Sequence, residues 1–146
     1  MAGDVVKRKS PMQAFRTWKT WNAVQRGDVA NDPHNTFDFI MTESEKRGLI
    51  SAFYFIPDHS AGAIDGRYTL DDPEIIELMR ELSSRGHELG LHTSYNTYND
   101  EQQTIREADI LRRAMARIGA EQDTIGGRQH YLRWATPQTF RNWDSA

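Results

Sequence analysis

Residues 49–93, "LISAFYFIPDHSAGAIDGRYTLDDPEIIELMRELSSRGHELGLHT", constrain the fold more than any other part of the chain. The run Leu49 to Ile56 is apolar and aromatic and stops at Pro57, the pattern of a strand buried on both faces. An amphipathic helix pattern follows, with Ile75, Leu78, Met79 and Leu82 on one stripe. Asp71 or Asp72 caps it, Pro73 and Glu74 fit its first turn, and Gly86 ends it. A second short run, Gly86 to His92, then returns as a strand. Two strands joined by a helix form a βαβ unit, so the runs 49–56 and 86–92 are expected to be parallel neighbours with helix 73–85 as the crossover.

The pattern extends in both directions. Asn35 or Thr36 caps a helix that turns Phe37, Ile40, Met41 and Ser44 inward and stops at Gly48. After the second strand, a helix from about Asp100 to Ile118 points Ile105, Ala108, Leu111, Met115 and Ile118 inward. "DTIGGR" predicts a third, weak strand. "TPQTFRNW", with Thr136 as cap and Pro137 just inside, starts another helix. At the front, Ser10 to Arg26 predicts a helix with Phe15, Trp18 and Trp21 or Asn22 on a face that packs into a core. Residues 1–30 are therefore expected to form an N-terminal segment, and residues 31–146 an α/β domain with parallel strands.

Bulk composition removes several functions. A formal charge of -3 over 146 residues offers no electrostatic reason to bind nucleic acid, and Lys7-Arg8-Lys9 reads as solvated surface. No stretch approaches the ~20 apolar residues of a membrane span, and no apolar core follows the basic N-terminus as in a signal peptide. The expected location is cytoplasmic. The absence of cysteine excludes disulfides, thiol chemistry and cysteine-ligated metal sites. The mean hydropathy, -0.74, is low for a self-contained core. With few strands, it predicts exposed edges and self-association, or completion by further chain.

The chemistry gathers where strands end. Ligands bind at the carboxyl ends of parallel strands, and the second strand delivers His92 there, followed by Thr93, Ser94, Tyr95 and Asn96. His92 reads equally as a ligand or as a hydrogen-bonded structural residue. His130, after the third strand, belongs on the same rim. Two imidazoles with a carboxylate nearby suit one Zn²⁺ or a similar divalent ion. Arg128, Tyr131, Arg133 and Trp134 surround His130, and arginine with aromatics suits a polar ring such as a sugar. The same residues also fit a helix-covering arginine and core aromatics. His87 lies five residues before His92, ~16 Å away in an extended strand, and is read as structural. The loop "PDHSAGAIDGRYT" is long enough to be functional. Within it, His59 fits either the cleft or the solvent.

The segments "DPHNTFDFIM", "SAFYFIP", "IDGRYTLDDPEI", "RGHELGLHTSYNTYND" and "GGRQHYLRW" together resemble an atypical bacterial branch of the polysaccharide deacetylase (NodB-like carbohydrate esterase) family, from about Asn31 to Trp143. The resemblance implies a distorted (β/α)7 barrel, here partial, and metal-dependent removal of acetyl groups from carbohydrate. It places His92 at the start of the family's second histidine motif, with Asn96 where a second histidine is usual. An amide oxygen is a weak zinc donor. The resemblance therefore gives His130 the second nitrogen and Asn96 a place beside the substrate, with Arg128, Tyr131 and Trp134. It gives Asp4 the role of general base and leaves Val6 where a metal-binding aspartate is expected. The implied cofactor is a divalent metal, zinc, held weakly or absent in this chain. The implied partner is a polysaccharide; the deacetylase is expected to be inactive as this chain alone, and the alternative is a non-catalytic carbohydrate-binding or partner-completed barrel fragment.

Overall fold

The computed structural model describes residues 10–28, 32 and 34–146, which divide into two compact units between Glu43 and Ser44. In the first unit, helix α1 spans Pro11–Gln25. The Ser10 hydroxyl caps it by accepting from the Gln13 amide at 3.3 Å, with Pro11 in the first turn. The expected aromatic core face is not formed. Phe15, Trp18 and Trp21 are all exposed, and the Phe15 and Trp18 rings touch each other at 5.9 Å between centroids. Aromatic spacing gave the correct helix but the wrong environment, because periodicity reports a face and not what covers it. Helix α2 spans Phe37–Glu45; Met41 is fully buried, whereas Ile40 is exposed.

The second unit holds the sheet. Strand β1 (Ala52–Phe55), helix α3 (Pro73–Ser84), strand β2 (Glu88–Thr93), helix α4 (Glu101–Ile118), strand β3 (Gly127–Gln129) and helix α5 (Gln138–Ser145) follow in order. The sheet order is β1-β2-β3, and both pairings are parallel. Phe53 pairs with Leu89, and His92 pairs with Arg128. The βαβ unit is therefore present, with α3 as its crossover.

The barrel is not. Among the described residues the sheet has three strands and is open, with β1 and β3 each paired on one side only. Closing a sheet requires enough strands to surround a filled interior, and three cannot. The first apolar run also contributes less strand than its length suggests. Four of its residues pair, Leu49 and Ile50 are exposed, and Tyr54 is 41 % exposed.

The core lies between the sheet and its helices. Met79 and Leu82 of α3, Leu89 and Leu91 of β2, and Leu111 and Met115 of α4 form its apolar part. Helix α4 starts at Asp100, whose carboxylate accepts from the Gln103 amide at 3.0 Å, and stops at Gly119 in the left-handed conformation, φ 71°. Pro137 is the cap of α5 and not its first internal residue. Two glycines permit close layering. A Cβ on Gly90 would strike the Tyr54 ring and lie 2.9 Å from the Gly126 carbonyl, and one on Gly127 would strike the Trp143 indole.

Toward the carboxyl ends of the strands the core becomes polar. Thr93, Ser94, Thr97, Glu107, Thr139 and Asn142 are fully buried. This layer accounts for part of the low mean hydropathy within a packed unit. Among the described residues no helix is long and apolar enough to cross a membrane.

Candidate functional site

The parallel register brings the ends of β2 and β3 together. His92 Nε2 and His130 Nδ1 face each other at 2.8 Å, with the rings edge to face. The second nitrogen of His130, Nε2, lies 3.2 Å from the Ile64 carbonyl oxygen and 3.8 Å from Asp65 Oδ1. A carbonyl only accepts, so His130 carries a hydrogen on Nε2, and in the neutral tautomer this selects Nδ1 is the bare nitrogen that faces His92. Burial first, then the repulsion a protonated His92 would meet from His130 and Arg128, holds His92 below the usual imidazole pKa, against the pull of Asp65. Neutral His92 thus donates from Nε2 to His130.

Asp65 organises this corner. It is 1 % exposed; Oδ1 accepts from the Tyr95 amide at 2.7 Å and Oδ2 from the Ala61 amide at 2.6 Å. One carboxylate therefore ties the loop after β1 to the turn after β2, and lies beside the histidine after β3. Asp65 belongs to the long loop after β1, and its bond to Tyr95, 30 residues on, is decided only when the two loops meet.

A second buried carboxylate lies deeper. Glu107 of α4 is fully buried and accepts from the Ser94 amide at 2.8 Å, from the Ser94 hydroxyl in a very short bond, and from Gln103 Nε2 at 2.9 Å. Gln103 Nε2 also donates to Asp58 Oδ2 at 3.0 Å. Burial and then the Asp58 charge raise the Glu107 pKa to about 7, against the lowering effect of its donors. Glu107 carries a signal in the sequence that the strand-end histidines do not point to. It occupies the inward stripe of α4 between Thr104 and Leu111, where a carboxylate is out of place.

The remaining expected residues divide. Tyr131 packs edge to face on His130 at 4.7 Å and on Tyr95 at 5.5 Å, and is 71 % exposed. Tyr131 and Leu132 have φ of 54° and 55°, left-handed values that non-glycine residues adopt at a cost. Arg128 is exposed and acts on His92 through its charge. Trp134 lies against Phe140 at 4.7 Å. Asn96 is engaged at both ends of its amide, donating to the Ser60 carbonyl at 3.0 Å and accepting from Arg133 at 3.2 Å. The Arg133 guanidinium sits between the Tyr95 and Tyr98 rings, about 4 Å from each centroid. Asp4 and Val6 lie outside the described residues. His87 is buried at the opposite end of β2, its Nδ1 accepting from the Ser51 amide at 3.1 Å. A cleft of about 440 Å³ beside α4 and α5, lined by Leu111, Met115 and Trp143, includes neither rim histidine.

The histidine pair can be compared with two corners of a zinc site. Two nitrogens bound to one Zn²⁺ at 2.0–2.1 Å in a tetrahedron stand about 3.3 Å apart, so the rings, now 2.8 Å apart and hydrogen-bonded, would have to part by about half an ångström to share a cation. The carbonyl and carboxylate behind His130 are the outer partners that a ligating imidazole uses. Among the described residues, however, no group of three or more histidine or acidic side chains converges on one point. No protein-family model matches this sequence, and no curated protein or solved structure is significantly similar to it.

Proposed function

We propose that this chain belongs to a metal-dependent hydrolase that removes acetyl groups from carbohydrate, with His92 and His130 as nitrogen ligands of a divalent cation. The observation that carries this reading is the 2.8 Å approach of His92 Nε2 to His130 Nδ1 at the ends of adjacent parallel strands. Zinc in such a position supplies Lewis acidity and lowers the pKa of bound water. The chain's own contribution is to hold the ligands. The Ile64 carbonyl favours the proton of His130 on Nε2, and burial favours neutral His92, which can lend the Nε2 lone pair to a cation once its proton shifts to Nδ1. Tyr131, Arg128 and Trp134 offer an exposed aromatic and cationic surface to a sugar ring. Asp4 is the proposed general base.

Calorimetric zinc titration tests the reading. Two nitrogens and no described carboxylate ligand predict weak binding by the wild type and none by His92→Ala or His130→Ala. Equal heats from all three proteins would refute the site. Release of acetate from acetylated chitooligosaccharides, lost in the same variants, would establish the reaction.

A second reading, non-catalytic carbohydrate binding, is favoured by Tyr131 at 71 % and Trp134 at 46 % exposure. It predicts oligosaccharide binding that His92→Ala leaves intact and that Tyr131→Ala or Trp134→Ala weakens.

A further inference from the structure

A chain of hydroxyls runs from the buried Glu107 to the loop after β1. The Ser94 hydroxyl contacts Glu107 Oε1 on one side and the Ser60 hydroxyl, at 2.7 Å, on the other. The Asn96 backbone N–H donates to Ser60 Oγ at 2.9 Å. Ser60 is half-buried, in the same loop that supplies the Ile64 carbonyl behind His130.

Each hydroxyl has one proton, so the chain has a direction. Ionised Glu107 only accepts. The Ser94 proton is then committed to Glu107, and the Ser60 proton turns inward to Ser94. Protonated Glu107 still accepts from the Ser94 backbone amide on Oε2, which places its proton on Oε1, facing Ser94 Oγ, while a lone pair of that oxygen keeps the bond from Gln103 Nε2. Ser94 must then donate to Ser60. Ser60 now accepts from both Ser94 and Asn96, and its own proton is free to point away from the core.

We propose that Glu107 is a proton-operated switch that reverses the Ser94–Ser60 hydrogen-bond chain, so that Ser60 offers a donor beyond the core only when Glu107 is protonated. The charges that bear on the switch are few. Asp58 acts on Glu107 across Gln103, and Asp58 is itself moderated by Arg106 and His59. The Glu107 pKa of about 7 puts the reversal near neutrality. A bound molecule presenting an acceptor oxygen to Ser60 is favoured on the acid side of that midpoint. The proposal does not depend on the deacetylase reading, since it invokes neither metal nor substrate.

The test is an NMR titration of the full chain that follows the Glu107 carboxyl carbon and the Asn96 amide together. In the wild type, the Asn96 amide is expected to shift with the Glu107 midpoint, which is resolved from the midpoints of His92 and His130 followed on their rings. In Ser60→Ala, Glu107 should still titrate, and the Asn96 response at that midpoint should vanish. An Asn96 amide indifferent to the Glu107 titration, or one that follows it unchanged in Ser60→Ala, overturns the proposal. If Ser60→Ala does not fold, the wild-type titration decides alone: a shared Glu107 midpoint supports the switch, and an Asn96 shift that tracks only an imidazole refutes it.

Discussion

His92 Nε2 stands 2.8 Å from His130 Nδ1, while the other nitrogen of His130 is 3.2 Å from the Ile64 carbonyl. The proton positions follow from the acceptor-only carbonyl. Without added metal, ¹⁵N spectra are expected to show His130 protonated on Nε2 and bare on Nδ1, and His92 protonated on Nε2. Adding zinc should move the His92 proton to Nδ1, because both facing nitrogens must then lend lone pairs. A His130 ring protonated on Nδ1 in the metal-free protein would contradict this network.

Asp65→Asn is expected to harm both stability and the rim. Two backbone amides donate to the two carboxylate oxygens, and an asparagine turns an NH2 toward one of them. A buried unsatisfied donor costs about 1–3 kcal/mol. Because the loop carrying the Ile64 carbonyl loosens with it, zinc affinity should fall by about 10-fold or more. Chemical denaturation and calorimetry on the same variant check the two effects.

Glu107 should leave a signature in the pH dependence of stability. Its folded pKa is raised from 4.5 to about 7, so the folded state binds more protons than the unfolded state in that window. Stability from this group is full below about pH 4.5 and is lost as pH rises through about 7, with a slope approaching about 1.4 kcal/mol per pH unit. His92, whose pKa is depressed from 6.5, acts in the opposite sense, losing stability as pH falls through its own range. The comparison of wild type with Glu107→Gln isolates the carboxyl. The difference in denaturation free energy between the two proteins should change across pH 4.5–7 and be flat if Glu107 titrates normally.

Gly90→Ala should be more damaging than Gly127→Ala. The new methyl at 90 meets the Gly126 backbone carbonyl at 2.9 Å as well as the Tyr54 ring, and a backbone in a sheet cannot swing aside. At 127 the nearest obstacle is the far edge of the Trp143 indole, which can tilt, with the Leu91 carbonyl at a looser 3.2 Å. Overpacking of this kind costs about 1–3 kcal/mol, and Gly90→Ala belongs at the upper end. Thermal melts of the two variants check the order.

Local chemistry made much of the second unit legible. The apolar runs, the Asp100 cap, and the glycines at 86 and 119 that end helices act within a few residues, so α3, α4 and the parallel β1–β2 pair follow from the chain itself. The position of His92 at a strand end was equally readable, because a strand's direction and its last residue are local facts. Tertiary structure decided the rest. It left the sheet open at three strands, since how many strands join and whether the outer pair meets depends on pairings that no single segment specifies. It turned Phe15, Trp18 and Trp21 outward, because helical spacing defines a face without supplying what covers it. It also set the Glu107 carboxylate against Ser94, 13 residues distant, and the Asp65 carboxylate against the Tyr95 amide, 30 residues distant. Those contacts arise only once the strands are in register and the loops above them have closed, which is why the two acids that organise the rim were the hardest residues to see in the sequence.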